Sequence, residues 1–90
     1  MAIAAVKIKI MPTSPDVDLK ELEFNVVAVL NENEAKNASV TQEPIAFGLV
    51  ALILFFGWDE SKELELLETE LAEVDNVNSV EVMDMRRAFG

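Results

Sequence analysis

The sequence predicts a two-layer α+β sandwich, with four strands in an antiparallel sheet and two helices covering one face. Three observations favour this fold class. Alternating apolar residues mark strands near both ends, and two inner segments carry apolar residues at spacings of three and four. Between these two segments lies a long uncharged run, PIAFGLVALILFFGW, over residues 44 to 58. The segments follow one another as strand, helix, strand, strand, helix, strand.

Length and composition limit the classes of protein. The 90 residues suffice for one hydrophobic core, so we expect a single domain over residues 1–90. The chain has no cysteine and no histidine, which removes the usual catalytic base and the commonest metal ligands. We therefore expect no enzyme chemistry, no cofactor and no metal site. The formal net charge of -10 argues against direct binding of nucleic acid.

The first strand covers residues 2 to 10. Lys7 and Lys9 lie on one face of it, which predicts a side in contact with water. Its stretch MAIAAVKIKIMP does not have the form of a signal peptide, because the lysines lie inside the apolar residues. We expect a cytoplasmic protein. The other face of the strand is apolar: Ala4, Val6, Ile8 and Ile10.

The first helix follows the segment MPTSPDVD, which supplies turn and capping residues. Asp18, followed by Glu21, resembles a capping box with Asp in place of Ser or Thr. The segment NENEAKN, residues 31 to 37, ends the helix. The predicted buried stripe consists of Leu19, Leu22, Val26 and Leu30.

A short strand, residues 38 to 42, precedes the long apolar run, which we interpret as a buried strand. The run is shorter than the roughly 20 residues of a membrane-spanning helix. A second helix begins near residues 59 to 61 and closes at Asp75 and Asn76, and residues 77 to 85 form the last strand, with Val80 and Val82 on one face. The stripe of the second helix consists of Leu64, Leu67, Leu71 and Val74.

Two right-handed crossovers in this order give the ferredoxin-like fold, with the third strand in the centre of the sheet. That strand has apolar residues on both faces, and the helices cover only one. The second face marks an interaction surface, which includes self-association, unless residues from the ends and loops cover it. This second set consists of Leu49, Ala51, Ile53 and Phe55.

Three segments carry a resemblance to a known family. EPIAFGLVAL resembles the PIGFG-then-leucine segment of the translation elongation factor 1-beta family. VKIKIMPTSPDVDLKEL is similar to its first strand, acidic loop and first helix, and VNSVEVMDMRRAFG to its closing strand. The resemblance implies an archaeal-type guanine-nucleotide exchange factor that promotes GDP release from elongation factor 1-alpha in translation elongation.

The resemblance also implies residue roles. Phe47, next to Gly48, corresponds to the aromatic residue that inserts into the partner factor. Arg87 corresponds to a basic residue, usually Lys in eukaryotic members, that reaches the partner's magnesium and phosphate site. Met85 and Arg86 are the neighbouring candidate contacts.

Other interpretations remain open from the residues alone. Phe47 fits a core position, and the two arginines fit ion pairs with Asp84 or Glu81. A ferredoxin-like regulatory module that dimerises through its sheet and binds a small metabolite is a rival function, although the chain has only three glycines. An RNA-binding sheet needs exposed aromatic residues flanked by basic ones on the central strands. The first strand supplies the basic residues but no aromatic one.

Overall fold

The computed structural model describes residues 2–87, apart from the Arg87 side chain. The sheet order is β2-β3-β1-β4, and all three neighbouring pairs are antiparallel. This confirms the ferredoxin-like βαββαβ fold. A short 3₁₀ turn, Ala46–Gly48, precedes the third strand. The elements are β1 (Ile3–Pro12), α1 (Leu19–Glu32), β2 (Lys36–Pro44), β3 (Val50–Asp59), α2 (Leu64–Ala72) and β4 (Val77–Arg87).

The hydrophobic core lies between the sheet and the two helices. The even-numbered residues of β1 and β3 face it, as the alternation predicts, and Phe56 and Trp58 meet edge to face with ring centroids 6.1 Å apart. No described side chain of the core is polar or charged. Both predicted helix stripes supply core residues, and the fully buried ones are Leu22, Val26 and Leu30 of α1 and Leu67 and Leu71 of α2.

The start of α1 follows the prediction. The Asp18 side chain is the N-cap and accepts hydrogen bonds from the backbone N–H groups of Lys20, at 3.0 Å, and Glu21, at 3.3 Å. Side-chain caps of this kind satisfy donors that the first helical turn leaves without partners. Neither of the described helices is long and apolar enough to cross a membrane.

Several predicted boundaries are wrong, above all the starts of the third strand and of the second helix. The third strand begins at Val50 rather than at residue 44, because residues 46 to 48 form a turn. The second helix begins at Leu64 rather than near residues 59 to 61, because β3 continues to Asp59, which pairs with Ile3. The backbone N–H and the hydroxyl of Ser61 both donate to the Asp59 carboxylate, and this local turn precedes the helix.

The open face of the sheet is less apolar than the alternation predicts. Ala51 and Ile53 are buried, although no helix lies over them. Ile53 lies between Lys9 of β1 and Thr41 of β2, the neighbouring residues in the register of the sheet. Phe55 remains 40% exposed. Of the four residues of the predicted apolar set, Phe55 is therefore the one that the structure leaves exposed.

Candidate partner-binding site

The turn between β2 and β3 presents Phe47 to solvent. Pro44 ends β2, and the Ile45 N–H then donates to the Leu49 carbonyl at 2.7 Å, which closes a tight loop. Phe47 lies at the tip of this loop and is 93% exposed, the highest exposure among the large apolar residues of the described chain. The sequence alone left a core position open for Phe47, and the structure excludes it.

The backbone of Phe47 has an uncommon conformation. Its φ of 62° and ψ of 31° lie in the left-handed region, which costs a residue with a Cβ atom about 1–2 kcal/mol. Gly48 follows with a φ of 78°, a value that glycine adopts without that penalty. Such strain in an exposed aromatic residue is typical of a contact site, because packing within the chain gains nothing from it.

A second loop supports this turn. A Cβ atom built on Gly48 would lie 3.8 Å from the Cβ of Pro15, in the connection between β1 and α1. The two loops therefore meet at the end of the sheet where β1 finishes and β3 begins.

The other candidate residues lie at the C-terminal end of β4. Arg86 is exposed, and its Nε lies 2.8 Å from the Asp84 Oδ2, so the ion pair that the sequence left open is present. Met85 is about half exposed. Arg87 pairs through its backbone with Ala4, and its side chain lies outside the part of the chain that the structure describes.

These two groups of candidate residues lie at opposite ends of the sheet. Pro12 pairs with Val77 at the end that carries the Phe47 turn, and Ala4 pairs with Arg87 at the other. A strand rises ~3.3 Å per residue, so the stretch of β1 from Ala4 to Pro12 separates the two ends by ~26 Å. The structure does not bring Phe47 and Arg87 together into one compact site.

Charged groups lie at the same end of the sheet as Arg87, near the pairing of Ile3 with Asp59. The Lys62 ammonium bonds to the Glu34 carboxylate and lowers its pKa, mainly through that hydrogen bond and also through its charge. Hydrogen bonds from Ser61 lower the pKa of Asp59. Both carboxylates therefore remain ionised near neutral pH. Within residues 2–87, no group of acidic side chains has an arrangement that would hold a metal ion.

Comparison with known proteins assigns the class. A family model described as the EF-1 guanine nucleotide exchange domain matches residues 5–88. Elongation factor 1-beta of Methanocaldococcus jannaschii is 38% identical over 89 residues, covering 98% of this chain and 100% of that protein. Elongation factor 1-beta of Methanobrevibacter smithii is 44% identical over 81 residues, covering 89% and 90%. These matches define a nucleotide exchange factor of translation elongation.

The chain belongs to the EF-1 guanine nucleotide exchange family, in which its curated relatives are elongation factors 1-beta of archaea. The resemblance of the three sequence segments is thereby confirmed. Among solved structures, the ACT domain from the GTP pyrophosphokinase of Chlorobium tepidum matches with a TM-score of 0.64 at 16% identity, covering 88% of this chain and 96% of that chain. This likeness shows a shared fold alone.

Sequence reasoning gave no role to Phe24 and placed Phe55 only in the apolar set on the open face of the sheet. Phe24 of α1 is 75% exposed, although it lies inside an amphipathic helix. Phe55 lies on the open face of the sheet, and Lys7 Nζ is 5.4 Å from the centre of its ring. The helical spacing of Phe24 from Val26 and Leu22 already indicates an outward side chain. The neighbour of Phe55 depends on strand register, which the sequence alone does not specify.

Proposed function

We propose that this exchange factor releases GDP from elongation factor 1-alpha and that Phe47 is its principal contact. The observation that carries this proposal is the exposure of Phe47 on a left-handed backbone. Moving a large apolar ring from water into a pocket of another protein lowers the free energy, so it favours binding. The turn holds the backbone of Phe47, so binding orders little of the main chain that was free before.

Release of GDP follows from thermodynamic coupling. A factor that binds the nucleotide-free GTPase more tightly than the GDP-bound form must weaken GDP binding by the same ratio. No bond in the nucleotide is broken, so the factor acts without covalent catalysis. This fits a chain that lacks histidine and cysteine. We propose that residues 1–90 act as one exchange domain in the cytoplasm, where elongation proceeds.

Arg87 is proposed to act at the other end of the contact. Magnesium bridges a GTPase and the phosphates of its nucleotide, so a cation brought beside that site opposes the metal and weakens the nucleotide. Arg87 offers a planar fork that pairs with phosphate or carboxylate through two hydrogen bonds. Met85 and Arg86 would flank this contact, and Gly48 would allow close approach beside Phe47.

The distance between the two ends sets the geometry of the complex. A partner that contacts Phe47 and Arg87 at once must extend ~26 Å along the sheet. The paired strands between the two ends form a stiff spacer, so anchoring at Phe47 fixes where the end of β4 lies on the partner. A mutation at either end would then change exchange without unfolding the chain.

Stopped-flow release of a fluorescent GDP analogue from elongation factor 1-alpha tests the function. We expect the chain to accelerate release, Arg87→Ala to reduce the acceleration and Arg87→Lys to retain most of it. We expect Arg86→Ala to reduce the acceleration less than Arg87→Ala does, because Arg86 is already paired with Asp84. In a separate titration of the nucleotide-free partner, we expect Phe47→Ala to lose over ~2 kcal/mol of binding free energy.

Two outcomes would contradict the proposal. Acceleration that survives Arg87→Ala would remove the role of Arg87, and unchanged binding of Phe47→Ala would remove the anchor. A folded chain that does not accelerate release from an active partner would favour the rival function, a metabolite-binding regulatory module.

A further inference from the structure

We propose that the open face of the sheet binds single-stranded RNA at a cleft beside Phe55. The cleft has a volume of about 330 Å³ and lies where β2, β3 and β1 adjoin. Phe55 and Gly57 of β3, Ala5 of β1 and Lys36 of β2 line it. The cleft is separate from the Phe47 turn, but it adjoins the end of β4, because Ala4 and Ala5, which line it, pair with Arg87 and Arg86.

The cleft has the shape and chemistry to hold a nucleobase. Phe55 lies on a central strand and is exposed enough to stack with a planar ring, an interaction worth about 1–3 kcal/mol per base. Gly57 has no side chain, and Ala5, which pairs with it, has only a methyl group. A Cβ atom built on Gly57 would lie 3.2 Å from the Ile3 Cγ2, so Ile3 and Lys36 wall the cleft at Gly57, and the small Ala5 side chain leaves the space.

Basic side chains extend from the cleft along the sheet. Lys36 pairs with Gly57 inside the cleft, and Lys7 Nζ lies 5.4 Å from the centre of the Phe55 ring. Because the Lys7 ammonium lies over the ring, a base that stacks on Phe55 would displace it towards the phosphate backbone. Lys9 follows on the same face of β1, ~6.6 Å further along. Several phosphates in a row would match these three lysines better than the phosphates of one free nucleotide would.

The distribution of charge explains how an acidic chain offers such a surface. Most of the acidic residues lie on the helices and their connecting loops, away from the open face. Near these lysines, Glu81 of β4 pairs with Lys9 and Asp84 with Lys7, and Glu34 lies close enough to Lys36 to interact with its charge. The formal net charge of -10 therefore does not describe the surface over β1, β3 and β2. The aromatic residue that the first strand lacks is supplied by β3.

Single-stranded RNA fits this surface better than a duplex. An exposed base can stack on an aromatic side chain of a flat sheet, whereas the bases of an A-form helix stack on one another and are hidden in its grooves. Stacking tolerates any base, and the lysines contact the backbone, so we infer weak sequence preference and strong salt dependence.

Fluorescence anisotropy with a fluorescein-labelled single-stranded oligouridylate tests this proposal. At low salt we expect saturable binding, with affinity reduced about tenfold in Phe55→Ala, the loss of one stacked base. We expect Lys36→Ala to weaken binding and to reduce the slope of log affinity against log salt by ~0.7. Asp84→Asn should strengthen binding, because it removes an anionic group near Lys7. Phe24→Ala is the matched control, since that exposed ring lies on α1.

Circular dichroism melts verify that each variant is folded. If Phe55→Ala does not fold, Phe55→Leu takes its place in the binding assay. The proposal is overturned by absence of binding, or by binding that none of the Phe55 and Lys36 variants weakens. Equal binding of a duplex of the same length, or competition by free uridine monophosphate as strong as that by the oligomer, would also overturn it.

Discussion

Gly48 packs beside Pro15: a Cβ atom on Gly48 would lie 3.8 Å from the Cβ of Pro15. The turn that carries Phe47 is therefore supported by the loop between β1 and α1. Because Gly48 has a φ of 78°, the turn depends both on this contact and on a residue that accepts a left-handed backbone.

Substitution of Gly48 should separate these two requirements. Gly48→Ala fits the space beside Pro15 but strains the backbone, so we expect a loss of about 1 kcal/mol in the free energy of unfolding. Gly48→Asn is the matched control, because asparagine tolerates the left-handed region better than alanine does. Urea unfolding followed by circular dichroism measures both. Equal losses for the two variants would show that backbone conformation at this position is unimportant.

Phe47 and Phe56 should differ sharply in their contribution to stability. Phe47 is in solvent, so we expect Phe47→Ala to change the free energy of unfolding by less than ~1 kcal/mol. Phe56 is 5% exposed and packs against Trp58, so Phe56→Ala should lose ~3–5 kcal/mol. Chemical denaturation of both variants makes the comparison. A large loss in Phe47→Ala would mean that the ring supports the fold.

The Asp18 cap should stabilise α1. Asp18→Ala removes the acceptor for the N–H groups of Lys20 and Glu21, and we expect it to lower the free energy of unfolding by about 1 kcal/mol. Asp18→Asn keeps a side-chain oxygen in the same place and should lose much less. Thermal melts of the two variants give the comparison, and similar melting temperatures would argue that the cap contributes little.

The Lys62–Glu34 pair should be visible in a pH titration. The hydrogen bond and charge of Lys62 hold the pKa of Glu34 below its ordinary value of 4.5. A carboxyl whose pKa is lower in the folded state stabilises the fold above its unfolded pKa. That contribution is lost as the pH falls through the folded pKa. We therefore expect NMR titration of the Glu34 side chain to give a midpoint below 4.5 in the wild type.

Lys62→Met provides the control for that titration. It keeps an unbranched side chain over Trp58 but removes the cation, so the midpoint of Glu34 should move back towards 4.5. The pKa of Asp59 should remain low in this variant, because hydrogen bonds from Ser61 are the larger cause of its shift. An unchanged midpoint for Glu34 would show that the ion pair does not form in solution.

The fold was predictable from the sequence because its periodic patterns are clear. The alternation around Val6 and Ile8 and the stripe through Leu22 and Val26 each identify one element and its buried face. The start of β3 was not predictable in this way. Apolar residues continue without a charge from Ile45 into Val50, so hydropathy does not reveal the turn at Ala46–Gly48.

The candidate site was predictable only in part. The resemblance of PIAFG indicated Phe47, and its small neighbours, Ala46 and Gly48, were consistent with an exposed ring. The separation of Phe47 from Arg87 depends on how β4 pairs with β1, and the register shift between Lys7 and Ile8 in that pairing has no clear sequence signal. The sequence named Asp84 and Glu81 as possible partners of the arginines, but the pairing of Arg86 with Asp84 depends on side-chain geometry.

The most direct test of the central claim compares two exposed phenylalanines in one assay. The assay is stopped-flow release of a fluorescent GDP analogue from elongation factor 1-alpha, with Phe47→Asn and Phe24→Asn measured beside the wild type. Asparagine suits the left-handed backbone at residue 47, so the turn should persist while the ring is lost. We predict that Phe47→Asn loses most of the acceleration and that Phe24→Asn retains it. Full acceleration by a folded Phe47→Asn variant would contradict the account.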